Sequence, residues 1–394
     1  MTISRLLIVL LALTGAAALL AQQRDAVPGS LNSSEPGPFV GVTADGKVVP
    51  DLFPIASTGV STKPVVDAAE QLLASLDANQ RQQISFALAS EQWREWSNIH
   101  RAPRQGVSFQ DLDEAQTAAA IDLLAAALSA RGLQTTRDIM RLNGHLAWLT
   151  DKHDEYGEKL YWLAIMGTPS VSQPWGWQLE GHHLIVNYFV LGDQVVMTPT
   201  FLGSEPVFAD AGPYAGTRVL QTEQDKGLQF VRTLSTEQLQ SAVIGTKSGN
   251  SILTQAYSDN VIVPYAGIRS GELTPAQREQ LIDLIGTHIG NMRDAHAGIR
   301  MQEILDHLED TWFAWLGDTS EDAIFYYRIQ SPVVLIEFDH QNPIALRGPE
   351  FARYTPRDHV HSIVRTPNGN DYGKDLLRQH YEQHRDDPEH GHAE

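Results

Sequence analysis

The chain of 394 residues contains no cysteine. It therefore forms no disulfide bonds, and no lipid-modified cysteine can follow an N-terminal signal. Without thiolates, histidine and carboxylate side chains are the strong ligands left for a borderline divalent metal ion. The sequence offers 15 histidines for that purpose.

Positive charge is scarce in this chain. It has 29 lysines and arginines against 48 acidic residues, which gives a formal net charge of −19. Nucleic acids and anionic lipid surfaces repel such a protein, so we expect neither as a partner. Small-molecule, carbohydrate-like or cationic partners stay open.

A long apolar run occurs at the N-terminus, where Arg5 precedes Leu6–Leu20 and small residues follow. This pattern is typical of a secretory signal peptide over residues 1–21, cleaved near Ala18 or Ala21. The alternative is a lone membrane anchor, although the run is a little short of the ~20 residues that span a bilayer. We expect an exported protein, periplasmic or extracellular, with no membrane association after cleavage.

Two common hydrolase signatures are absent from the sequence. There is no Gly-x-Ser-x-Gly elbow and no His-Glu-x-x-His helix. The run Gly245–Gly249 lacks the full phosphate-loop pattern. Any hydrolytic activity must therefore come from another arrangement of residues.

A helix-start signal recurs four times along the chain. Each has Asp, Ser or Thr as cap and Gln three residues later, which can bond back to the cap amide. Each pair of caps is followed by another helix and then by strands. This order suggests an internal duplication, with halves 64–215 and 216–385. The alternative is that the same capping motif occurs repeatedly by chance. The four caps are Asp77, Asp113, Ser235 and Thr274.

The apolar patterns predict an α+β fold, with helices packed on antiparallel strands. We expect residues 22–63 to form an extended leader that wraps the domain or is partly disordered, and residues 386–394 to form an acidic, histidine-containing tail. The helix after Asp113 is predicted to end at Arg131-Gly132. The predicted strands are Leu160–Met166, His182–Val190, Gln194–Phe201, Ala323–Ile329, Val333–Asp339 and His359–Val364.

Histidines on predicted strands form the candidate metal site. His182 and His183 stand at the start of a strand, so alternation predicts that they face opposite sides of the sheet. His359 and His361 share one strand face, about 6 to 7 Å apart at the backbone. A divalent ion, with zinc favoured and copper or iron as alternatives, can then sit where the two halves meet. The competing interpretation is that these histidines are hydrogen-bonded core or surface residues.

Acidic residues and one arginine are candidates for catalysis. Glu337 and Asp339 share a strand face near the histidine strand, and either is a candidate fourth ligand or general base. Arg365 can bind a carboxylate or phosphate group, or pair within the protein. Asp371 can cap the last helix or act as a base. His380, on the predicted helix Lys374–His384, is a further candidate ligand.

The sequence resembles a family of exported proteins known only as domain of unknown function 3500. The resemblance covers most of the chain after residue 64, and the family designation implies no established activity. It rests on Trp175–Trp177, Gly181–His183, Thr198–Pro206, Tyr326–Ile329, Ile336–Asp339, His359–His361, Asp371–Leu377 and His380-Tyr381.

Three functional hypotheses follow from these observations. The first is an exported metal-dependent enzyme, a hydrolase that activates water at a His/carboxylate site and acts on a small-molecule or carbohydrate-like substrate; with copper or iron, oxidative chemistry replaces hydrolysis. The second is a periplasmic metal- or small-ligand-binding protein without turnover. The third is a structural envelope protein whose histidines only pack.

Overall fold

The computed structural model describes residues 38–247 and 249–385. The predicted signal peptide, the beginning of the leader and the acidic tail lie outside these residues. Within them, helices pack on a mostly antiparallel sheet, so the predicted α+β class is confirmed. None of the helices in the described ranges is long and apolar enough to cross a membrane.

Within residues 38–247 and 249–385, the α-helices occur in two runs of four, followed by a last one. Their bounds are α1 Lys63–Ser75, α2 Ala78–Ile84, α3 Glu114–Ala127, α4 Ala130–Thr150, α5 Gln221–Arg232, α6 Thr236–Ala242, α7 Pro275–Ile289, α8 Asp294–Asp306 and α9 Lys374–Gln383.

The strands of the described residues all belong to one sheet. Their bounds are β1 Ser85–Phe86, β2 Val107–Ser108, β3 Tyr161–Met166, β4 Trp175–Gly181, β5 Leu184–Leu191, β6 Gln194–Val196, β7 Thr200–Ser204, β8 Val243–Gly245, β9 Ile268–Arg269, β10 Trp312–Gly317, β11 Phe325–Gln330, β12 Leu335–His340 and β13 Val360–Arg365.

The strand order reads the same from both edges of the sheet, because the two halves of the chain repeat one topology. The order is β1-β3-β4-β5-β7-β13-β12-β11-β10-β8, with β2 on β3 and β9 on β10. Registers repeat too: Trp177 pairs with Tyr188 in the first half, and Tyr327 pairs with Phe338 in the second. The halves meet at the antiparallel pair β7–β13. This is the internal duplication that the caps predict.

The four predicted caps all form, and they explain why the repeat was visible in the sequence. Each is a reciprocal capping box. The side-chain amides of Gln80 and Gln116 also bond to each other, and Gln238 and Gln277 do the same in the second half. The glutamine therefore both caps its own helix and joins it to the next helix of the repeat.

Three local predictions are wrong. The single strand predicted over Gln194–Phe201 is two strands, β6 and β7, separated by residues 197–199. The helix after Asp113 ends at Ala127, and Gly132 lies inside α4, where an added Cβ would stand 2.1 Å from the carbonyl oxygen of Asn291. Gly132 thus allows close helix packing and ends no helix. The strand predicted over His182–Val190 begins only at Leu184, because Trp175–Gly181 is itself a strand and pairs with it through a tight turn.

The two faces of the sheet have different covers. Leu184 and Leu202 belong to the large core under the helices, whereas Ile185 and Phe201 pack with Trp96 on the opposite face. That opposite face is covered by loops and by the leader around Thr43, which forms a β-bridge with Ile262. We call the two sides the helix face and the loop face.

Candidate metal centre

Three histidines converge where the two halves of the chain meet. Nε2 of His359 lies 3.1 Å from Nε2 of His361 and 3.3 Å from Nε2 of His183. One ligand nitrogen from each ring lies within 4.8 Å of the other two. All three residues are buried: His183 is 5% exposed, His359 1% and His361 4%. We refer to them as the histidine triad.

A two-residue turn delivers His183 to the triad. Gly181 pairs with Leu184, so His182 and His183 form the tip of the β4–β5 hairpin and do not alternate across a strand as predicted. His183 has φ of 63°, a left-handed conformation that histidine tolerates better than most residues. The rings of His182 and His183 stack with centroids 3.9 Å apart instead of facing opposite sides.

The other two triad members come from the start of β13. His359 immediately precedes the strand and His361 is its second residue, so the i, i+2 spacing brings both rings to the loop face, as expected. The ring of His361 packs edge-on against Phe201 of β7. Between the rings of His183 and His361 lies Gly203, where an added Cβ would be 3.3 Å and 3.0 Å from their Cδ2 atoms. The missing side chain at Gly203 lets the two ligands approach.

Hydrogen bonds fix the orientation of His359. Its Nδ1 donates to the carbonyl oxygen of Asn342 at 2.9 Å, so in the neutral ring Nε2 carries the lone pair that faces the triad. The carboxylate of Glu205 lies 3.6 Å from the same Nδ1. Its oxygens accept three backbone N–H groups from residues 344–346. A carbonyl or carboxylate behind a histidine is the usual support for a metal ligand.

Burial favours the neutral form of the three triad imidazoles. Burial lowers the pKa of His183, His359 and His361, and the neighbouring histidines lower it further for His183 and His361. Glu205 and the Asn342 carbonyl oppose the effect of burial at His359. Neutral imidazoles with facing lone pairs are the form that binds a metal ion.

His182 supports the triad without joining it. Its Nδ1 donates to the side-chain oxygen of Asn143 at 2.9 Å, and its ring stacks on His183. On its other side lie the rings of Tyr156 and His100, each with its centroid 5.4 Å away. The His100 side chain is 20% exposed and stands 3.4 Å from Glu155. This aromatic series connects the triad to the surface.

The structure gives the predicted carboxylates other partners. Glu337 accepts hydrogen bonds from Leu253, Thr254 and Tyr326. Asp339, which pairs with His361 across the strands, accepts from the Ser251 N–H and the Gln341 amide and forms an ion pair with Lys247 at 3.0 Å. Burial raises the pKa of Asp339 to about 6, although Lys247 opposes the rise. Both carboxylates fasten the 247–254 loop to the sheet, and neither belongs to the triad.

Arg365, Asp371 and His380 are also placed away from the triad. Arg365 is fully buried and donates to Asp259 at 2.8 Å and to Asp371 at 3.0 Å, so it pairs within the protein, the alternative that the sequence left open beside anion binding. Asp371 accepts the Thr366 N–H and does not cap α9. His380 lies on α9 as predicted, where its ring contacts other aromatic rings of that helix.

Several residues of the site were missed at the sequence level. Gly203 and Glu205 lie within Thr198–Pro206, one of the motifs that carry the family resemblance, and that motif was the available signal. Asn143 and Asn342 carried no local signal, because each is distant in sequence from the histidine that it orients.

Comparison with known proteins identifies the family of this chain. The sequence model of a family described as "Protein of unknown function (DUF3500)" matches residues 58–374. No curated protein and no solved structure matches. The chain belongs to the DUF3500 family, as its motifs indicate, and the arguments about chemistry must come from the site itself.

Proposed function

We propose that this member of the DUF3500 family binds one divalent metal ion, with zinc favoured, through His183, His359 and His361, and that it is an exported metal-dependent hydrolase. The spacing of the triad nitrogens carries the proposal. Two Zn–N bonds of about 2.0–2.1 Å at a tetrahedral angle place their nitrogens about 3.3 Å apart. The two separations from Nε2 of His359, 3.1 Å and 3.3 Å, agree with that value, and all three ligand nitrogens lie within 4.8 Å of one another.

The number of ligands favours catalysis over a purely structural site. Among the described residues the candidate group has three members, all histidines. Structural zinc sites use four protein ligands, whereas catalytic sites use three and keep a position for water or substrate. A metal ion held there would lower the pKa of a coordinated water to about 7 and so supply a hydroxide for hydrolysis.

The remaining side chains divide the supporting roles. Asn342 holds His359 in the tautomer that presents Nε2, and Glu205 adds negative charge behind the same ring. His182 covers one side of His183, which limits the access of bulk water to that ligand. We assign substrate entry and proton exit to the side of His100, because its ring connects the buried cluster to solvent.

A metal-binding role without turnover is the second candidate. The observation that favours it is that Glu337 and Asp339, the carboxylates closest in register to the histidine strand, are occupied by other donors. An enzyme at this site must then use the metal-bound hydroxide without one of these two carboxylates as general base. Copper or iron at the same ligands would instead support oxidative chemistry. The substrate class proposed for the enzyme is a small molecule or a carbohydrate-like compound.

The test is a hydrolysis assay on the untagged chain with p-nitrophenyl acetate, phosphate and glycosides. We expect turnover of at least one substrate that a chelator abolishes and added zinc restores. His359→Gln should remove it, whereas His288→Gln should retain it, because His288 is a buried histidine on the helix face. Turnover that survives both the chelator and His359→Gln contradicts the proposal. A tightly bound metal with no turnover of any substrate supports the binding role.

A further inference from the structure

A second candidate site lies on the helix face of the sheet. It is a cavity of about 410 Å³ between the central strands, the end of α7, the length of α8 and the leader around residues 52–58. That volume is within the range of small-molecule sites. Its apolar wall includes Phe53, Met197, Ile289, Met292 and Val364.

The cavity is separate from the histidine triad because the sheet divides them. On β13, His361 turns to the loop face and the next residue, Ser362, lines the cavity. On β7, Gly203 lies against the triad while Leu202 lines the cavity. Neighbouring residues of a strand point to opposite faces, so a ligand in the cavity cannot touch the triad.

Among the described residues, three buried polar atoms of the cavity wall have no hydrogen-bond partner: Oδ1 of Asn291 and the two ring nitrogens of His296. The Asn291 side chain donates its amide N–H to the carbonyl oxygen of His288 at 3.1 Å, which leaves its Oδ1 as an acceptor. This oxygen is buried, and no residue in the described part of the chain donates a hydrogen bond to it. A buried acceptor without a donor costs about 1–3 kcal/mol. A ligand that donates a hydrogen bond to Asn291 would remove that cost.

The charges around the cavity disfavour an anionic ligand. Glu223, Glu303 and Asp306 line it, against the one arginine of the lining, Arg300. Arg300 is already bonded to Glu303 and to the carbonyl oxygen of Val333. Burial lowers the pKa of His288 to about 3, so this lining histidine adds no positive charge near neutral pH.

We infer that the cavity binds an uncharged small molecule with an apolar body and a hydroxyl group, of the alcohol or phenol class. The hydroxyl donates to Oδ1 of Asn291, and the apolar body packs against Met197, Met292 and Val333. This site is additional to the metal centre and does not depend on the presence of a metal ion.

The test compares three ligands of the same shape by calorimetry: 2-naphthol, 2-methoxynaphthalene and 2-naphthoate. We expect 2-naphthol to bind about 5- to 150-fold more tightly than the methyl ether, which cannot donate, because this is the ratio that corresponds to the cost of an unsatisfied buried acceptor. The carboxylate should bind more weakly still. Equal binding of all three, tighter binding of the carboxylate, or no binding of 2-naphthol overturns the inference.

Variants locate the probe in the cavity. Val195→Phe fills space at the wall and should abolish binding of 2-naphthol, whereas Val171→Phe, at an exposed position outside the cavity, should leave it unchanged. Asn291→Leu should reduce the preference for 2-naphthol over its methyl ether. His361→Gln should retain binding, since the triad lies on the other face. Binding that is lost in His361→Gln but kept in Val195→Phe would contradict the assignment.

Discussion

Gly203→Ala should weaken metal binding without changing a ligand. The added Cβ would stand 2.8 Å from the carbonyl oxygen of Val360, 3.0 Å from Cδ2 of His361 and 3.3 Å from Cδ2 of His183. The first of these contacts is with backbone, which cannot rotate away, so the strand pair or the two rings must shift by a few tenths of an ångström. We expect a loss of folding stability of about 1–3 kcal/mol from overpacking.

The effect on metal affinity should be larger than stability alone explains. The new methyl group pushes the rings of His183 and His361 apart, whereas two ligand nitrogens of one tetrahedral zinc ion lie about 3.3 Å from each other. Changes in the surroundings of metal ligands commonly cost about 10- to 100-fold in affinity, and we expect a loss in that range. The assay is zinc competition against a fluorescent chelator, with chemical denaturation of the metal-free protein in parallel.

A glycine with equally close neighbours provides the control for Gly203→Ala. In Gly227→Ala the Cβ would stand 2.4 Å from the Tyr327 ring on the helix face, so the variant should lose stability but keep its zinc affinity. If Gly203→Ala binds zinc as tightly as the unmodified chain, or if both variants lose affinity in proportion to stability, the triad does not act as a metal site shaped by Gly203.

Three further predictions concern stability. The pKa of His288 is about 3 in the folded protein and about 6.5 in the unfolded chain, so the neutral ring contributes fully to folding stability above pH 6.5. That contribution falls with the pH, and at pH 5 the loss is about 2 kcal/mol. In denaturation of the metal-free protein, His288→Gln should therefore weaken the dependence of stability on pH below 6.5. Gln116→Ala and Gln277→Ala should each lower the free energy of unfolding, measured by denaturation, by about 1–2 kcal/mol through the lost cap and amide hydrogen bonds. The two losses should be similar because the glutamines occupy matching places in the two repeats, and strongly unequal losses would argue against equivalent roles. Gly132→Ala should lower the melting temperature, because the added Cβ would clash with the carbonyl oxygen of Asn291. Alanine otherwise stabilises a helix by about 1 kcal/mol relative to glycine, so a higher melting temperature would refute this explanation.

The repeat could be predicted because its signal is local. A cap and a glutamine three residues later act within one helical turn, so four short motifs revealed the four helix starts. The missed strands show the limit of this reasoning. Trp175–Gly181 and Trp312–Gly317 are buried almost throughout, so they lack the alternation of polar and apolar residues that marks a half-exposed strand.

The candidate site was predictable in composition but not in geometry. The i, i+2 spacing of His359 and His361 correctly places both on one strand face. The doublet of His182 and His183 could not be resolved, because its orientation depends on where the hairpin turns, and that is set by pairing between strands. Glu337 could not be distinguished from a catalytic base, since the donors that occupy it come from a loop more than 80 residues away in sequence.

Elemental analysis of the untagged protein by mass spectrometry tests most directly whether His183, His359 and His361 hold one metal ion. We predict about one equivalent of a divalent transition metal, with zinc favoured, per chain. The double variant His183→Gln/His361→Gln should lose the metal, and His288→Gln, a buried histidine hydrogen-bonded to Tyr327, should keep it. A metal-free protein that neither takes up added zinc nor melts at a higher temperature in its presence would contradict the claim.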